Sequence, residues 1–520
     1  MDLSKKMNNS TKALDYLRAL MPTILGSLIL LGCHYDSSKT EAIVSPNTER
    51  PNFLFILTDD QNYRTIRELG NKHIFTPNLD KLTQRGMSFS HVFNQGSWEA
   101  AVCGPSRKML NTGRHLFKTG YGPSTAVNDQ SRGPLLGEIL QQNGYDTFIT
   151  GKWHIDEESL RRSFTSGSNI FMPLWMGMSF HEEGGQFNTL IADYDGNDLN
   201  DENFKTRRAN KFSNELFVDS AIGYLKKKPN DSQNPFFLYL SFLTPHDPKH
   251  APEKYLKLYP IDDIPIPKNM LREHPFNEGD HNARDEVLLP FPRTELRIRW
   301  HIARYYAMVS HLDAEIGRLL DYLEKSELAD NTVIIFTSDN GLANGQHGLL
   351  GKQNQYDHSI RVPLIFAGPS VDAGIRKTGM FYLHSLFPTI LDIAEIEAPK
   401  TTDSVSIASL LSGKKDHVRE YIYGAYKNFQ RMVRTSSHKL IYYPHIEKTQ
   451  LFDMINDPLE IHDISKNEGN EILMTKLLTE LERLKLEVGD PLKNESPVKS
   501  FSEYKKDDYY PQRWPRRELN

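Results

Sequence analysis

The segment Asn52-Phe53-Leu54-Phe55-Ile56-Leu57-Thr58 is almost wholly apolar and stops at two carboxylates, Asp59 and Asp60. A run of this length without polar alternation suits a strand buried on both faces, as in a parallel sheet covered by helices. Similar runs recur at 146–150, 235–243 and 332–337, and another lies at 362–366. Helical patterns fall between them. In 294–325 the residues Ile302, Tyr305, Tyr306, Val309, Leu312, Ile316, Leu319, Leu320 and Leu323 make one stripe at helical spacing. The shorter pattern at 78–86 stops at Gly86, a common helix terminator. Strands alternating with helices specify an α/β fold: a large mixed, mostly parallel sheet sandwiched by helices.

From 421 the texture changes. Short strand-like runs at 421–426, 430–434 and 439–443 precede a helical stretch at 471–486. They predict a smaller C-terminal α+β subdomain, a four-stranded antiparallel sheet with a packed helix. The boundaries read from the sequence are a catalytic domain over 51–415, the C-terminal subdomain over 416–490 and a charged tail over 491–520.

The N-terminus carries Lys5, Lys6, Lys12 and Arg18 before an apolar run over 21–31. That run is shorter than the about 20 apolar residues a bilayer span needs, and it fits a signal-peptide core. It closes with Leu30-Leu31-Gly32-Cys33, which resembles the lipobox of bacterial lipoproteins. The resemblance implies a signal peptide over 1–32, a lipidated Cys33 as the mature N-terminus and a polar tether over 33–50. It implies a cell-envelope protein anchored to a membrane and facing the periplasm or the exterior. The formal net charge of −5 in 520 residues supplies no basic field for nucleic acid. The chain has only two cysteines, Cys33 and Cys103, and separate roles for each are expected in place of a disulfide.

Polar residues gather just past the apolar runs. Asp59 and Asp60 follow the first, Lys152 and His154 the second, His246 the third, and Asp339 and Asn340 the fourth. Open α/β sheets place their sites at that edge, so four strand ends are expected to converge on one cleft. Asp59, Asp60, Asp339 and Asn340 offer oxygen donors only, which selects a hard cation, calcium or magnesium, over zinc. In Cys103-Gly104-Pro105-Ser106-Arg107 one residue separates the cysteine from a proline that can open a helix, with Arg107 about one turn on. A helix N-terminus and a guanidinium both attract an anion, and a bare thiolate there would be activated.

Cys103-Gly104-Pro105-Ser106-Arg107, continued by Leu110-Asn111-Thr112-Gly113-Arg114, resembles the signature of type I sulfatases of the alkaline phosphatase superfamily. The resemblance runs from Asn52 to about Ser465 and includes Leu451-Phe452-Asp453-Met454 with Asn456-Asp457-Pro458. It implies that Cys103 is oxidised after translation to formylglycine (3-oxoalanine) by a formylglycine-generating or anaerobic sulfatase-maturating enzyme. It implies one calcium ion, with magnesium the lesser candidate, held by Asp59, Asp60, Asp339, Asn340 and the residue-103 oxygen. Gly151-Lys152-Trp153-His154, Thr244-Pro245-His246-Asp247 and Gly351-Lys352 match the family's basic positions. They assign Lys152, His246 and Lys352 to the sulfate, with Arg107 polarising the nucleophile, His246 as acid assisted by Lys352, and His154 as base. Removing the metal is expected to leave uncompensated carboxylates.

The segment Thr244-Pro245-His246-Asp247-Pro248, continuing to Ala251-Pro252, resembles carbohydrate-acting members of the family. A sulfated oligo- or polysaccharide such as ulvan is the expected substrate, with carrageenan, fucoidan and glycosaminoglycans as alternatives. Trp98 could stack on a sugar face or pack in the core, and Glu99 could bind hydroxyls. His347 could bind substrate or cap its turn, and with His358 and Arg361 it could meet a uronate or a second sulfate. Two other functions remain open from sequence: a phosphodiesterase or phosphonate monoester hydrolase of the same superfamily, and a lipid-anchored glycan-binding protein with a dead site.

Overall fold

The computed structural model describes residues 50–120, 132–173, 185–196, 204–228, 234–281 and 283–492. The signal segment, Cys33, the tether up to 49 and the tail from 493 lie outside them. No helix among the described residues is long and apolar enough to cross a membrane.

Strand β1 (Asn52–Asp59) lies at the centre of the main sheet. With β2 (Met87–Phe93), β4 (Asp146–Lys152), β5 (Ser166–Phe171), β6 (Leu190–Asp195), β7 (Arg207–Arg208), β8 (Phe236–Pro245), β9 (Thr332–Ser338), β10 (Arg361–Ala367), β11 (Ile375–Lys377) and β12 (Phe381–Tyr382) it makes eleven strands. Their order is β11-β2-β10-β9-β1-β8-β4-β5-β6-β7, with β12 also on β2. The block β9-β1-β8-β4-β5 is parallel throughout.

Both faces of β1 are covered, as its unbroken apolar run demands. Phe53, Phe55 and Leu57 pack with Leu110 of α2 (Cys103–Thr112), Leu136 and Leu140 of α3 (Leu136–Gln142), and Phe387 and Leu391 of α6 (Leu386–Ile393). Leu54 and Ile56 point the other way. They meet Leu79 and Leu82 of α1 (Pro77–Arg85), Phe217 and Val218 of α4 (Ser213–Leu225), and Leu312, Ile316 and Leu319 of α5 (Glu295–Glu324). Side chains alternate along a strand, so one heptapeptide feeds two cores. Each buried Leu, Ile or Phe contributes about 1.5–3 kcal/mol of transfer free energy, against the conformational entropy of ordering the chain.

The run at 362–366 departs from the parallel expectation. As β10 it pairs antiparallel with both β9 and β2. The register on β2 shifts between Val362 and Leu364, where Pro363 has no N–H to give the ladder. The Pro363 carbonyl accepts from Thr337 Oγ1 instead, at 2.8 Å. An apolar run states burial, not direction, which is why the sequence does not distinguish the two pairings.

The C-terminal sheet has five strands, not the four expected. β13 (Ile422–Tyr426), β14 (Gln430–Arg434), β15 (His438–Tyr443) and β16 (Lys448–Asp453) form the antiparallel meander. The fifth is β3 (Gly96–Ser97), parallel to β13. Gly96 has φ of 94°, and a Cβ there would stand 2.1 Å from the Ala425 carbonyl oxygen, so the pairing needs glycine. Two residues carry no periodicity, yet they tie this sheet to the chain entering the Cys103 helix. The packed helix α7 (Glu471–Val488) sets Leu477, Leu481, Leu484 and Val488 against Tyr423, Val433 and Leu440, beside Met109 of α2.

Candidate active site

Register along the parallel block brings the polar residues together. Thr58 of β1 is level with Ser338 of β9, so Asp59 and Asp339 end neighbouring strands. Asp59 is level with Pro245 of β8, which His246 follows, and Gly151 of β4 is level with Ser241 of β8, which puts Lys152 at the same edge. Successive residues of a strand point to opposite faces, yet the carboxylates of Asp59 and Asp60 share one site. The left-handed backbone of Asp60, φ 67°, makes the turn that allows it, a conformation aspartate tolerates better than most residues. Gly151 has φ of 91°, and a Cβ there would stand 1.8 Å from the Ser241 carbonyl oxygen, so only glycine lets β4 present Lys152 beside β8.

Cys103 is the first residue of α2, and its thiol donates to Asp59 Oδ1 at 3.0 Å. Asp60 Oδ1 lies 3.6 Å from the sulfur and Lys352 Nζ 3.0 Å. Ser106 Oγ and Asn94 Nδ2 both donate to the Asp339 carbonyl, at 2.6 and 2.9 Å, and dock the helix on the end of β9. Arg107, one turn on, turns away from the sulfur. Its Nε donates to Asp339 Oδ2 at 2.9 Å and its Nη1 to Ser241 Oγ and the Lys152 carbonyl, at 2.6 and 3.0 Å. The thiol is therefore not activated, contrary to the expectation for a bare cysteine. Burial raises its pKa well above the ordinary value and Asp59 adds to the rise, outweighing Lys152 and Lys352.

Three carboxylates and three bases pair one to one. Lys152 holds Asp59, Lys352 donates to both oxygens of Asp60, at 2.5 and 2.7 Å, and Arg107 holds Asp339. All six are almost fully buried. Burial alone would raise Asp59, but Lys152, His246, Arg107 and Lys352 hold it well below the usual carboxylate range. Asp339 is pushed up to about 7 by burial and by Asp59.

The donors fit a hard divalent ion. Ligand atoms of Asp59, Asp60, Cys103 and His246 lie within 4.8 Å of one another, and Asp339 Oδ1 accepts from the Asp60 amide at 3.2 Å. Asn340 donates to Asp60 Oδ1 at 2.5 Å while its own Oδ1 is buried without a hydrogen-bond partner among the described residues. A buried orphan oxygen beside three carboxylates suits a cation ligand.

His246 approaches Asp60 Oδ2 through Nε2 at 3.8 Å, and its Nδ1 is 2.7 Å from the Asp247 carbonyl. That carbonyl can only accept, so Nδ1 carries a proton and Nε2 faces the cluster. Burial and Lys352 lower its pKa. His154 is half-buried near Gly104, with Nδ1 unpartnered among the described residues. Burial, Lys152 and Arg107 keep it neutral. Trp98 is half-buried against the core between α2 and the C-terminal sheet, with its indole N–H on Glu99 Oε1 at 3.1 Å. His347 and His358 turn inward. The His347 ring stacks on Tyr356 at 3.9 Å, and Asn269 Nδ2 is 3.2 Å from its Nε2. The structure thus gathers Asp59, Asp60, Cys103, Arg107, Lys152, His154, His246, Asp339, Asn340 and Lys352, and leaves Trp98 and His347 in packed positions beside them.

Several supporting residues are not singled out by the sequence patterns. Glu286 accepts from the amides of Leu350 and Gly351, at 2.9 and 2.7 Å, and so fixes the loop that carries Lys352. Arg284 clamps Asp247 through both carboxylate oxygens, at 2.6 and 3.0 Å. Lys249, buried under Tyr305 and donating to the Pro245 carbonyl at 3.0 Å, has its pKa lowered to about 8 by burial. Of the three, only Lys249, three residues after His246, lay within a motif.

The chain matches the family described as Sulfatase over residues 51–396, and over 345–487 the family described as N-sulphoglucosamine sulphohydrolase, C-terminal. It is 26% identical to an ulvan-active sulfatase of Formosa agariphila, covering 94% of this chain and 91% of that one. It is 27% identical to an N-acetylglucosamine-6-O-sulfatase of Bacteroides thetaiotaomicron, covering 80% and 83%. A solved structure in complex with its substrate D-glucosamine-2-N,6-O-disulfate shares the fold at a TM-score of 0.70 and 23% identity, over 86% of this chain and all of that one. Strand ends that bring a cysteine, three aspartates and a ring of buried bases together, with a family match over most of the folded chain, make this protein a member of the sulfatase family, a sulfuric ester hydrolase.

Proposed function

We propose that this sulfatase removes sulfate from a sulfated polysaccharide or its oligosaccharides, ulvan first among them, with calcium and with Cys103 converted to formylglycine. The similarity to ulvan-active and N-acetylglucosamine-6-O sulfatases supports the glycan, and one observation carries the formylglycine and metal. The Cys103 sulfur is within 3.6 Å of two candidate metal carboxylates and of a buried lysine at once, so it marks where an oxygen of the modified residue would meet metal and cation together. Hydrated, the formylglycine supplies an oxygen nucleophile and an exit for sulfate, and calcium supplies a Lewis acid, held by Asp59, Asp60, Asp339 and Asn340.

The chain's own residues do the rest. Lys152 and Lys352 put two ammonium groups beside residue 103, able to take up charge on sulfate oxygens in a buried site where such contacts are strong. Arg107 fixes Asp339 and the end of β4. His154, neutral and with a free ring nitrogen, can take a proton from residue 103. His246 is neutral at rest, and the negative charge of a bound sulfate raises its pKa, so that Nε2 can carry a proton to the leaving sugar oxygen. Removing that proton source matters only for a poor leaving group. His246→Ala should therefore lower the rate on sugar sulfates by about 10²–10⁴-fold and on nitrophenyl sulfate by less than about tenfold. Equal losses on both would take His246 out of the acid role.

The Leu30-Leu31-Gly32-Cys33 sequence further supports action at the cell envelope through a lipid on Cys33. The substrate reading is tested by sulfate release from ulvan, carrageenan, fucoidan and glycosaminoglycan oligosaccharides, beside aryl and choline sulfates, a phosphate diester and a phosphonate monoester. Release from at least one glycan is expected. Turnover confined to small sulfates would overturn the carbohydrate assignment. Preference for the phosphorus esters would favour the hydrolase alternative of the same superfamily, and no turnover from converted, calcium-loaded protein would favour a dead site.

A further inference from the structure

A cavity of about 700 Å³ lies apart from the carboxylate cluster. It opens between the segment after β1, the β2 strand near His91 and the start of β10, and none of the clustered residues lines it. Five cations line it: Arg64, Lys72, Arg361, Arg376 and Arg434. Among its described lining residues there is no aspartate or glutamate, in a chain whose net charge is −5. Its volume falls in the range of ligand sites.

The charge is built in. Arg361, Arg434 and Lys439 all converge on Asp357, and Lys439 also holds Glu460. Three buried bases on two carboxylates leave an excess positive charge, and Arg361 and Arg434 present it to the cavity. His91 feels that field: burial and these two arginines push its pKa down to about 3. Arg361 lies 4.1 Å and Arg64 5.2 Å from the centroid of the Tyr63 ring. Arg64 Nε also donates to the Tyr63 hydroxyl at 2.6 Å, so two guanidinium groups are held by one ring. Asn344, on the same wall, has a buried Oδ1 without a hydrogen-bond partner among the described residues.

Fixed guanidinium groups suit sulfate and carboxylate, and a wall amide with a spare acceptor suits a hydroxyl donor. We infer that this cavity is a second glycan site, which binds anionic sugar residues of the sulfated polysaccharide away from the sulfate being cleaved. The inference rests on the carbohydrate reading above and deepens it, since Arg361 then meets a sulfate or uronate outside the catalytic cluster.

The test uses the full chain carrying Arg64→Glu, Lys72→Glu and Arg376→Glu, three exposed positions whose replacement should leave the melting temperature unchanged. Native gels containing ulvan, carrageenan, fucoidan or chondroitin sulfate read binding without turnover. Wild type should be retarded by at least one of these gels and the triple variant should not. On the retarding polymer the KM should rise at least tenfold with kcat within about threefold, while kcat/KM on nitrophenyl sulfate stays within twofold. Retardation and KM both unchanged in the variant would overturn the site, as would wild type retarded by none of the polymers. Equal retardation by a single-stranded DNA of matched charge would also overturn it, as unselective polyanion binding. If the polymers retard wild type through these three residues and no glycan is desulfated, the second site stands and the catalytic carbohydrate reading falls.

Discussion

Cys103→Ala should give a folded protein whose sulfatase turnover is lower by roughly 10⁴-fold or more, the scale on which removal of a covalent nucleophile acts. The site offers no substitute. Among the residues around the sulfur the lysines are paired with Asp59 and Asp60, and the two histidines are placed to move protons, not to form an ester with an exit. The unmodified thiol is no reserve either, because it is protonated, buried and donating to Asp59. Protein from a host that cannot oxidise the cysteine should therefore be as inactive as the alanine variant. Fold should survive, since the change deletes one sulfur atom and a weak thiol hydrogen bond, about 1 kcal/mol by the usual run of such substitutions. Cys103→Ser sharpens the test: the serine oxygen could take the sulfuryl group and release the substrate's alcohol, but the serine sulfate would be a stable ester, so at most one equivalent of alcohol is released per protein. Turnover above about 1% of wild type in Cys103→Ala, with matched melting temperature, would defeat the nucleophile assignment.

So much of this site is legible in the sequence because of the geometry of parallel strands. β1, β4, β8 and β9 are buried on both faces, so each must be an apolar run, and each must stop where the sheet meets solvent. Polar residues just past such runs therefore share one edge, which is how Asp59, Lys152, His246 and Asp339 could be grouped from order alone. What the pattern could not carry was direction, as at β10, or contacts made by two-residue strands, as at Gly96–Ser97. Nor could it show Glu286 and Arg284, which act from segments without regular periodicity. The sequence also put Arg107 beside the nucleophile on helical spacing. That spacing is right, but Ser241 and Asp339 offer the guanidinium better acceptors than a protonated thiol does, and they turn it toward β8 and β9. His347 stands outside the cluster: its left-handed backbone, φ 54°, and the flat face of Tyr356 turn the ring into the protein.

Chelation should abolish activity, by at least a hundredfold, and yet unfold little. The expectation from sequence, that three carboxylates stripped of their ion would repel one another, is corrected by the pairing of Asp59 with Lys152, Asp60 with Lys352 and Asp339 with Arg107. Each acid has a base of its own, so much of the like charge is compensated by the protein itself, although Asp59 still raises Asp339. What is lost is only the binding linkage, about 2.7 kcal/mol for an ion present at a hundred times its Kd, or a fall of roughly 5 °C or less for a chain of this size. Calcium should restore both rate and melting temperature, and magnesium should restore them less well, because a site built from three carboxylates and an amide asks little ordering of a large, flexible coordination sphere. Lys352→Met separates this account from a simple one. In that variant Asp60 has lost its buried partner, and the ion becomes its main counter-charge. Chelation should then lower the melting temperature by at least twice the wild-type amount, even though the calcium-loaded variant starts less stable. An equal fall in both proteins would mean that the lysine does not stand in for the metal. Undiminished turnover after exhaustive chelation would remove the metal from the reaction altogether.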